Sequence, residues 1–479
     1  MTRTTARAPR SAPTLLFLVL LLAAPQAARA SGLALAGHGV RAFGRAGAFV
    51  AGADDPSAIW YNPAGIGGLG GLQLTLDGSL IFYEASYTRV DSGGNLLPKI
   101  GFEGPLIPIP TLAASFPLVK NRLWGGVSFT APYSATLGFP APSYAPCDPA
   151  APVHCLDTAH TDAPQRYSLI NQEGTRLVYL DLALSVQVLP GLLVGVSLQN
   201  LFVNFVTFSA ISSYNGALSS GPEDPEYDSL AQLKLVDNFN PSGKVGIIYS
   251  PHRMVRLGVS YQLPFWIRGG GKINVQLPTS SLYEKSRVEG DSADVAITLP
   301  MMLRAGVEVR PLEGLRVELE VDWEQWSATQ SIQVFPKDIF ILNIPSIDRY
   351  RVPTLQTPLN FQDSVTVRLG AEHTFQRIPL TLRGGYLFER GATQQAYASV
   401  GSMDSDKHVI TLGVGYAVAG YRFDLMVARS FSATRVVDFR ESKSLQVNPI
   451  NPTGAVGVGG GTYHSDYTVF GIGAHKSFF

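Results

Sequence analysis

Apolar and polar residues alternate one by one through most of this chain, and this alternation constrains its fold more than any other feature. From Val178 to Val188 every second residue is valine or leucine, and the residues between them include Asp181, Ser185 and Gln187. The same period of two recurs at 303–310, 315–323, 365–372, 380–389 and 421–427. A period of two is typical of β-strands with one apolar and one polar face. The sequence therefore predicts an all-β protein.

Two architectures fit such strands, a soluble sandwich and a transmembrane barrel whose apolar face meets lipid. The apolar faces extend over about ten residues, the length of a tilted transmembrane strand. The polar faces carry charges of both signs, which suits a wet or ion-paired lumen. Aromatic residues lie near the segment ends, as in interfacial girdles: Trp323, Trp326, Tyr386 and Phe388. These features favour a transmembrane antiparallel β-barrel.

The alternating segments number about fourteen, an even count that closes a barrel with both ends on the periplasmic side. They are expected at 71–89, 108–119, 122–133, 174–189, 191–208, 242–250, 253–276, 292–310, 313–329, 362–376, 378–390, 405–418, 421–436 and 464–479. Long connections such as 134–171 and 209–240 are expected on the external side. Within the second of these, the residues after Pro225 fit either a short amphipathic helix or an irregular loop.

The N-terminus has the pattern of a secretory signal peptide. Three arginines precede an apolar run at 14–24, and Ala28-Arg29-Ala30 forms a small-residue cleavage motif. Pro25 ends the run well short of the roughly 20 residues that a membrane-spanning helix needs. Residues 1–30 are therefore predicted to be a signal peptide.

The two cysteines, Cys147 and Cys155, lie in a proline-rich connection. In an exported protein such a close pair favours a local disulfide. His154 and His160 leave a metal site as the alternative. The disulfide is the preferred interpretation, and no metal or cofactor is predicted.

Charge and motifs exclude several classes of function. The chain has 37 basic and 37 acidic residues and no run of Lys or Arg that indicates a nucleic-acid surface. It contains no P-loop, HExxH or GxSxG motif. Asp54-Asp55 precedes Pro56, where aspartates fit a turn better than an acid/base pair. The chain is not predicted to be an enzyme.

One stretch, 32–74, departs from the alternation. It is rich in Gly and Ala and lacks periodic large apolar residues, so it cannot build a packed element by itself. Asn62-Pro63-Ala64 within it is a turn signal. We expect a compact insert that is enclosed by the sheet formed downstream.

Three strings in this stretch resemble the long-chain fatty acid transporter family of outer-membrane proteins (FadL type, including toluene- and xylene-uptake channels). They are Gly44-Arg45-Ala46-Gly47-Ala48, Ala53-Asp54-Asp55-Pro56-Ser57-Ala58 and Tyr61-Asn62-Pro63-Ala64-Gly65. Val321-Asp322-Trp323-Glu324-Gln325-Trp326-Ser327 resembles the paired-Trp strand of the family. The resemblance covers essentially the whole chain after the signal peptide.

The resemblance implies an architecture and a location. Residues 31–70 are expected to form an N-terminal hatch inside the lumen, and residues 71–479 a barrel of about fourteen strands in the bacterial outer membrane. The hatch motif is expected to comprise Asn62, Pro63, Ala64, Asp54 and Asp55.

The resemblance also implies passive uptake of hydrophobic molecules, with long-chain fatty acids preferred. Aromatic hydrocarbon uptake and a non-transporting structural barrel are the alternatives. The cargo is expected to bind against the hatch and to leave sideways through a gap at the kinked third strand, here at Gly125, Gly126 and Pro132. Alternatively, Pro132 only marks the end of that strand. The expected partners are hydrophobic small molecules, outer-membrane lipid and lipopolysaccharide, with no nucleic acid, and the protein is expected to be a monomer.

Overall fold

The computed structural model describes residues 37–104, 106–133, 137–141, 161–216, 221–344 and 347–478. The predicted signal peptide and the candidate disulfide of Cys147 and Cys155 lie outside the described residues. No helix in these ranges is long and apolar enough to cross a membrane.

The described residues form short helices and many strands. The α-helices are α1 (Val40–Phe43) and α2 (Ala58–Tyr61), and the 3₁₀ helices are Pro63–Ile66, Pro225–Tyr227, Ser281–Tyr283, Trp326–Ala328, Gln395–Tyr397, Val400–Ser402 and Pro452–Gly454. The strands are β1 (Leu72–Val90), β2 (Leu96–Gly101), β3 (Ile107–Val119), β4 (Leu123–Tyr133), β5 (Arg176–Leu189), β6 (Leu192–Ser212), β7 (Asp228–Asp237), β8 (Pro241–His252), β9 (Val255–Gln262), β10 (Phe265–Gln276), β11 (Arg287–Glu289), β12 (Ser292–Leu299), β13 (Met302–Leu312), β14 (Leu315–Glu324), β15 (Ser331–Lys337), β16 (Phe340–Ile344), β17 (Ile347–Arg351), β18 (Leu355–Pro358), β19 (Ser364–Thr374), β20 (Leu380–Glu389), β21 (Lys407–Val418), β22 (Tyr421–Ser432), β23 (Arg435–Val437) and β24 (Gly461–Phe478).

Fourteen of these strands close into an antiparallel barrel. Their order around the wall is β1, β3, β4, β5, β6, β8, β9, β13, β14, β19, β20, β21, β22 and β24. The first strand pairs with the last from Leu72↔Phe478 to Arg89↔Gly461, which completes the ring. The predicted all-β barrel and its strand number are confirmed.

On one side of the barrel, a second row of five strands lengthens the wall in the direction of the barrel strands. β7, β10, β12, β15 and β18 pair in that order, starting from β6. Each of the five continues a barrel strand across a short break; for example, Leu263-Pro264 separates β9 from β10. Proline cannot donate to a ladder and therefore marks such breaks. Both alternatives for the residues after Pro225, an amphipathic helix and an irregular loop, are wrong: Pro225–Tyr227 forms a single 3₁₀ turn, and Asp228–Asp237 is a strand of this row.

The two faces of the wall differ as the alternation predicts. Apolar side chains project outward, and at least half of the maximal accessible surface is exposed at Leu182, Leu198, Leu319, Leu412 and Ile472. Charged side chains project inward and are buried, among them Asp181, Glu308, Glu318, Glu320, Asp322, Arg368 and Arg383. A sandwich would bury its apolar faces instead. Lipid is the solvent that suits the outer face of this barrel.

One predicted girdle residue is placed differently. Trp326 is fully buried, packs edge-on against Phe361 at 5.6 Å between ring centroids, and donates its indole N–H to Glu324 at 2.6 Å. The assignment of Trp326 to an interfacial girdle is therefore wrong. The chain leaves the ladder after β14, and this change turns the side chain inward.

The N-terminal segment, residues 37–71, lies inside the barrel. Its residues from 37 to 66 are almost all buried, and their hydrogen bonds run to inward-facing side chains of the wall. Wall glycines make room for it: a side chain at Gly258 would meet the backbone of Val50 and Ala51. The segment thus fills the lumen next to β8, β9 and β13.

Candidate functional site

Two carboxylates of β14 hold the middle of the N-terminal segment by its backbone. Glu320 accepts the N–H groups of Phe49 and Val50 at 2.7 and 2.8 Å. Glu318 accepts the next two N–H groups, at 2.7 and 3.0 Å, and pairs with Arg45 at 3.0 Å. Backbone N–H groups buried away from water need an acceptor, and these two side chains supply it. The alternation predicted these inward carboxylates, but nothing in the sequence indicated that their partners are backbone amides.

The aspartates of the hatch motif form ion pairs with both the segment and the wall. Asp54 lies 2.6 Å from Arg41 and 2.6 Å from Arg316, while Asp55 lies 3.0 Å from Arg41 and 3.2 Å from Arg422. Burial disfavours these carboxylates when charged, yet the guanidiniums of Arg316 and Arg41 hold the pKa of Asp54 below its ordinary value. The two aspartates therefore stay ionised and fasten the segment to β14 and β22.

Asp55 also has the local role that the sequence suggested. Its Oδ1 accepts the backbone N–H of Ser57 at 3.0 Å, a turn in which the side chain bonds the backbone two residues on. The turn leads directly into α2.

Asn62 has its side chain fully buried and fully bonded. Its amide donates to the carbonyls of Val50 at 2.9 Å and Ile247 at 3.1 Å, and its Oδ1 accepts the N–H of Ala64 at 3.1 Å. The last bond caps the 3₁₀ helix Pro63–Ile66, which starts with proline at a position where no N–H is needed.

The same motif touches the wall at two glycines. A side chain at Gly246 would collide with the Asn62 side chain, and one at Gly195 would collide with the backbone of Pro63 and Ala64. Asn62, Pro63 and Ala64 are thus seated against β8 and β6. The sequence does not show which glycines accept the motif, because that depends on strand register.

Cations of the wall converge on Trp60 at the end of α2. Lys244 and Arg304 both donate to its carbonyl, at 2.5 and 3.0 Å, and both lie over its ring, at 4.8 and 5.5 Å from the centroid. His38 packs edge-on against the same ring at 4.7 Å. Neither ring nitrogen of His38 has a hydrogen-bond partner in the described part of the chain. Burial, with the positive charges of Arg304, Arg368 and Lys244, lowers the pKa of His38 to about 3.

Six arginines on the polar face of the wall strands all form ion pairs. Their carboxylate partners lie on the wall or on the N-terminal segment: Arg304–Asp322, Arg310–Glu308, Arg316–Asp54, Arg368–Asp322, Arg383–Asp424 and Arg422–Asp55. These charges therefore bind the protein to itself.

A narrow apolar cavity lies beyond the N-terminal segment, within the outward extension of the wall. Its enclosed volume is about 80 Å³, and it is lined by Gln172, Thr175, Leu177, Val203, Phe205, Leu235, Ile267, Val295, Ile297, Leu299, Ile332, Leu359, Phe361, Gly401 and Ser402. None of these lining residues is charged. One hydrophobic cluster joins this lining to Ile59 and Trp60. Sequence reasoning missed this cavity because it assigned loops to much of the extension.

The third barrel strand, β4, is regular at two of its three predicted kink residues. Gly125 and Gly126 pair in register with both β3 and β5. The missing side chain of Gly126 leaves room for Ile59 and Ile66 of the N-terminal segment, which lie 2.8 and 3.0 Å from its ideal Cβ position. The register with β5 shifts by one residue between Thr130 and Tyr133, the stretch that contains Pro132, which is a β-bulge.

Next to this bulge the wall has an unpaired stretch, the first seam, between residues 107–110 and 131–133. β3 pairs with β1 as far as Ile107, but its pairing with β4 starts only at Thr111↔Thr130. Pro108 and Pro110 lie on the unpaired stretch, and proline lacks the N–H that a closing ladder would need.

The state of His38 predicts that the N-terminal segment is held less firmly in acid. The folded pKa is about 3 and the ordinary value is 6.5, so a released segment binds a proton that the seated one excludes. Stability from this group is complete above pH 6.5 and falls as pH drops toward 3. At pH 5 the loss is roughly 2 kcal/mol, from about 1.4 kcal/mol per unit.

Hydrogen exchange of the amides at 49–52 at pH 7.5 and pH 5, corrected for intrinsic rates, measures this loss. We expect protection to fall on acidification in the native chain and to fall much less in His38→Phe, which keeps a ring against Trp60. If protection of these amides depends on pH equally in the two proteins, His38 is not the cause of the loss.

Comparison with family models identifies one match. Residues 170–478 match the model described as outer membrane protein transport protein (OMPP1/FadL/TodX). The match covers more than half of the chain. Comparison with curated protein sequences gave no significant match.

Solved structures with the same fold include a Pseudomonas aeruginosa FadL homologue, with a TM-score of 0.73, 17% identity and coverage of 94% of this chain and 100% of that chain. The P. putida toluene transporter TodX gives 0.60 and 15%, covering 93% and 99%. The Ralstonia pickettii toluene transporter TbuX gives 0.58 and 15%, also covering 93% and 99%. With a closed barrel, an occupied lumen and this family match, the chain belongs to the OMPP1/FadL/TodX family of outer-membrane transport proteins.

Proposed function

We propose that this protein is a channel for passive uptake of hydrophobic molecules, with long-chain fatty acids as the preferred cargo. The observation that carries the proposal is the apolar, uncharged cavity in a barrel that has many buried charges elsewhere in its lumen. Burial of each CH₂ group is favourable by about 0.8 kcal/mol, so an acyl chain gains free energy by leaving water for this lining. The predicted signal peptide at 1–30 would direct the chain to export.

A fatty acid needs a cation as well as an apolar cavity. The lining itself carries no charge, which suits the tail. Lys244 contacts Trp60, which belongs to the same hydrophobic cluster as the cavity, and it would offer positive charge to a carboxylate. The uncharged lining by itself favours the second candidate, an aromatic hydrocarbon.

Blocking the cavity tests the proposal. Val295 is buried and lines the cavity, so Val295→Trp should fill it and slow the initial uptake of labelled oleate by about tenfold, because apolar sites are shape-limited. Its neighbour Ala296 alternates to the other face of β12, and Ala296→Trp is the matched control. The measurement uses cells with equal amounts of folded barrel.

The same cells, given labelled toluene in place of oleate, separate the two candidate cargoes. Faster uptake of oleate than in cells without the protein supports fatty acid transport, and faster uptake of toluene alone supports the aromatic alternative. Native-like uptake of both probes by Val295→Trp would contradict the role of the cavity.

The N-terminal segment would act as the hatch, residues 31–70, and would shift to open the path. It closes the lumen below the cavity, and the bonds that hold it are ion pairs and carboxylate–amide bonds, which can exchange for water. Residues 71–479 would be the channel wall around it.

A reversible tether tests this movement. An ideal Cβ at Gly471 lies 2.9 Å from Cγ2 of Val40, and its three nearest atoms are all ends of side chains, so Val40→Cys with Gly471→Cys should join the segment to β24. In a background with Cys147→Ser and Cys155→Ser, oxidation should stop uptake and reduction should restore it. Ser79→Cys with Gly471→Cys, which uses the same glycine but joins two wall residues that are already ladder partners, is the control. Undiminished uptake through the tethered protein would refute a moving hatch.

The first seam would be the lateral exit into the bilayer. Its inner border is apolar, because Ile107 and Ile109 are buried in one cluster with Val40 and Phe43 of the N-terminal segment. The β-bulge at 131–132 and the two prolines keep β3 and β4 apart there.

Removal of the bulge tests the exit. Deletion of Ala131 should restore a regular register with β5, narrow the seam and reduce uptake, while probe binding to purified protein is retained. Ala131→Gly keeps the residue count and serves as the control. If the deletion variant folds and transports at the native rate, the first seam is not the exit.

A further inference from the structure

We propose that the wall contains a second lateral opening for the same cargo, between residues 236–242 and 264–270. This second seam joins the apolar cavity to the outer leaflet of the membrane. The inference rests on the proposed function and adds a route to it.

Along the second seam, two neighbouring strands of the wall have almost no backbone hydrogen bonds to each other. β10 pairs with β7 only from Gly271↔Leu235 onward, and β9 pairs with β8 only up to Gln262↔Lys244. Between these points, residues 265–270 pair only with β12. Those residues of 236–243 that have a ladder partner pair only with β6. Six consecutive residues of β10 thus have a backbone partner on one side only.

Few hydrogen bonds cross the second seam, and they lie at the end of the seam that borders β8 and β9. The N–H of Leu263 donates to Gly243 at 2.9 Å, and the Ser242 hydroxyl donates to the carbonyls of Leu263 and Pro264 at 3.0 and 3.2 Å. The comparable break between β14/β15 and β18/β19 is bridged by backbone N–H groups of 359–361. Opening the second seam therefore costs fewer backbone bonds than opening that neighbouring break.

The second seam adjoins the cavity lining. Ile267 on one border and Leu235, the paired residue next to the other border, are almost completely buried and line the cavity. The Leu235 side chain reaches across the seam, because a Cβ at Gly269 would lie 2.7 Å from it. Gly269, Gly270 and Gly271 follow one another on this border, where missing side chains weaken a strand and let it move.

The outside of the second seam is apolar and aromatic. Phe239 is 77% exposed and Trp266 is 69% exposed, and Leu263 and Val236 project beside them. Such exposed aromatic residues are typical of the membrane–water interface. Asn238, Asn240 and Ser242 lie on the same border, so the unpaired backbone is close to polar groups and not in pure hydrocarbon. The opening would thus face the interfacial region of the outer leaflet.

A disulfide across the second seam tests this route. The ideal Cβ at Gly269 lies 2.8 Å from the Cβ of Asp237, and a disulfide joins Cβ atoms about 3.8 Å apart, so a small separation suffices. The variant Asp237→Cys with Gly269→Cys is made in the background with Cys147→Ser and Cys155→Ser. The control is Arg268→Cys with Ala296→Cys, which joins two residues that are already ladder partners.

Initial uptake of labelled oleate is measured in each variant after oxidation and again after reduction, so each protein is its own folding control. We expect oxidation to slow uptake about threefold or more in the seam variant and to leave the control pair unchanged, because a locked gate limits the rate. If oxidation has no effect on the seam variant while Val295→Trp still blocks uptake, the second opening is refuted and the proposed function stands. If neither oxidation of the seam variant nor Val295→Trp affects uptake, both the second opening and the proposed function are overturned.

Discussion

The contact between the wall's buried carboxylates and the N-terminal segment is the interaction on which the rest of this structure depends. A barrel of this size has an interior that water would fill, and its inward charges would be hydrated. Here Glu318 and Glu320 instead accept four consecutive backbone N–H groups of the segment, and Asp54 and Asp55 return ion pairs to the wall. Buried charge is tolerated only when paired and bonded in this way.

The consequence is a lumen with two chemical zones. In the first zone, ion pairs hold the N-terminal segment against the wall. In the second zone, the cavity past the segment, the lining is apolar and uncharged. The change occurs where the barrel strands break, at Leu263-Pro264 and its neighbours, since the extension past the breaks turns apolar side chains inward. The same breaks also leave the ladder incomplete, so the cavity and the second seam have a common origin.

Much of the fold followed from local pattern. Strand positions such as Val178–Val188 were predictable because a period of two specifies both the element and its faces. The polar faces predicted inward charges of both signs for the same reason. The two turns of the N-terminal segment were predictable, since Asn62 before Pro63 and Asp55 before Pro56 bond their own backbone. Trp326 and the residues after Pro225 were misjudged, because short apolar stretches do not reveal which neighbour they will pack against.

The sequence by itself determined that the chain is a barrel with an apolar outside, because alternation is a property of each strand alone. It also determined that a glycine-rich segment would be enclosed. Only the tertiary structure decided which side chains hold that segment, which residues line the cavity and where the wall stays unpaired. These features depend on the register between strands far apart in sequence, such as Gly271 opposite Leu235, and register is fixed by packing across the whole closed ring.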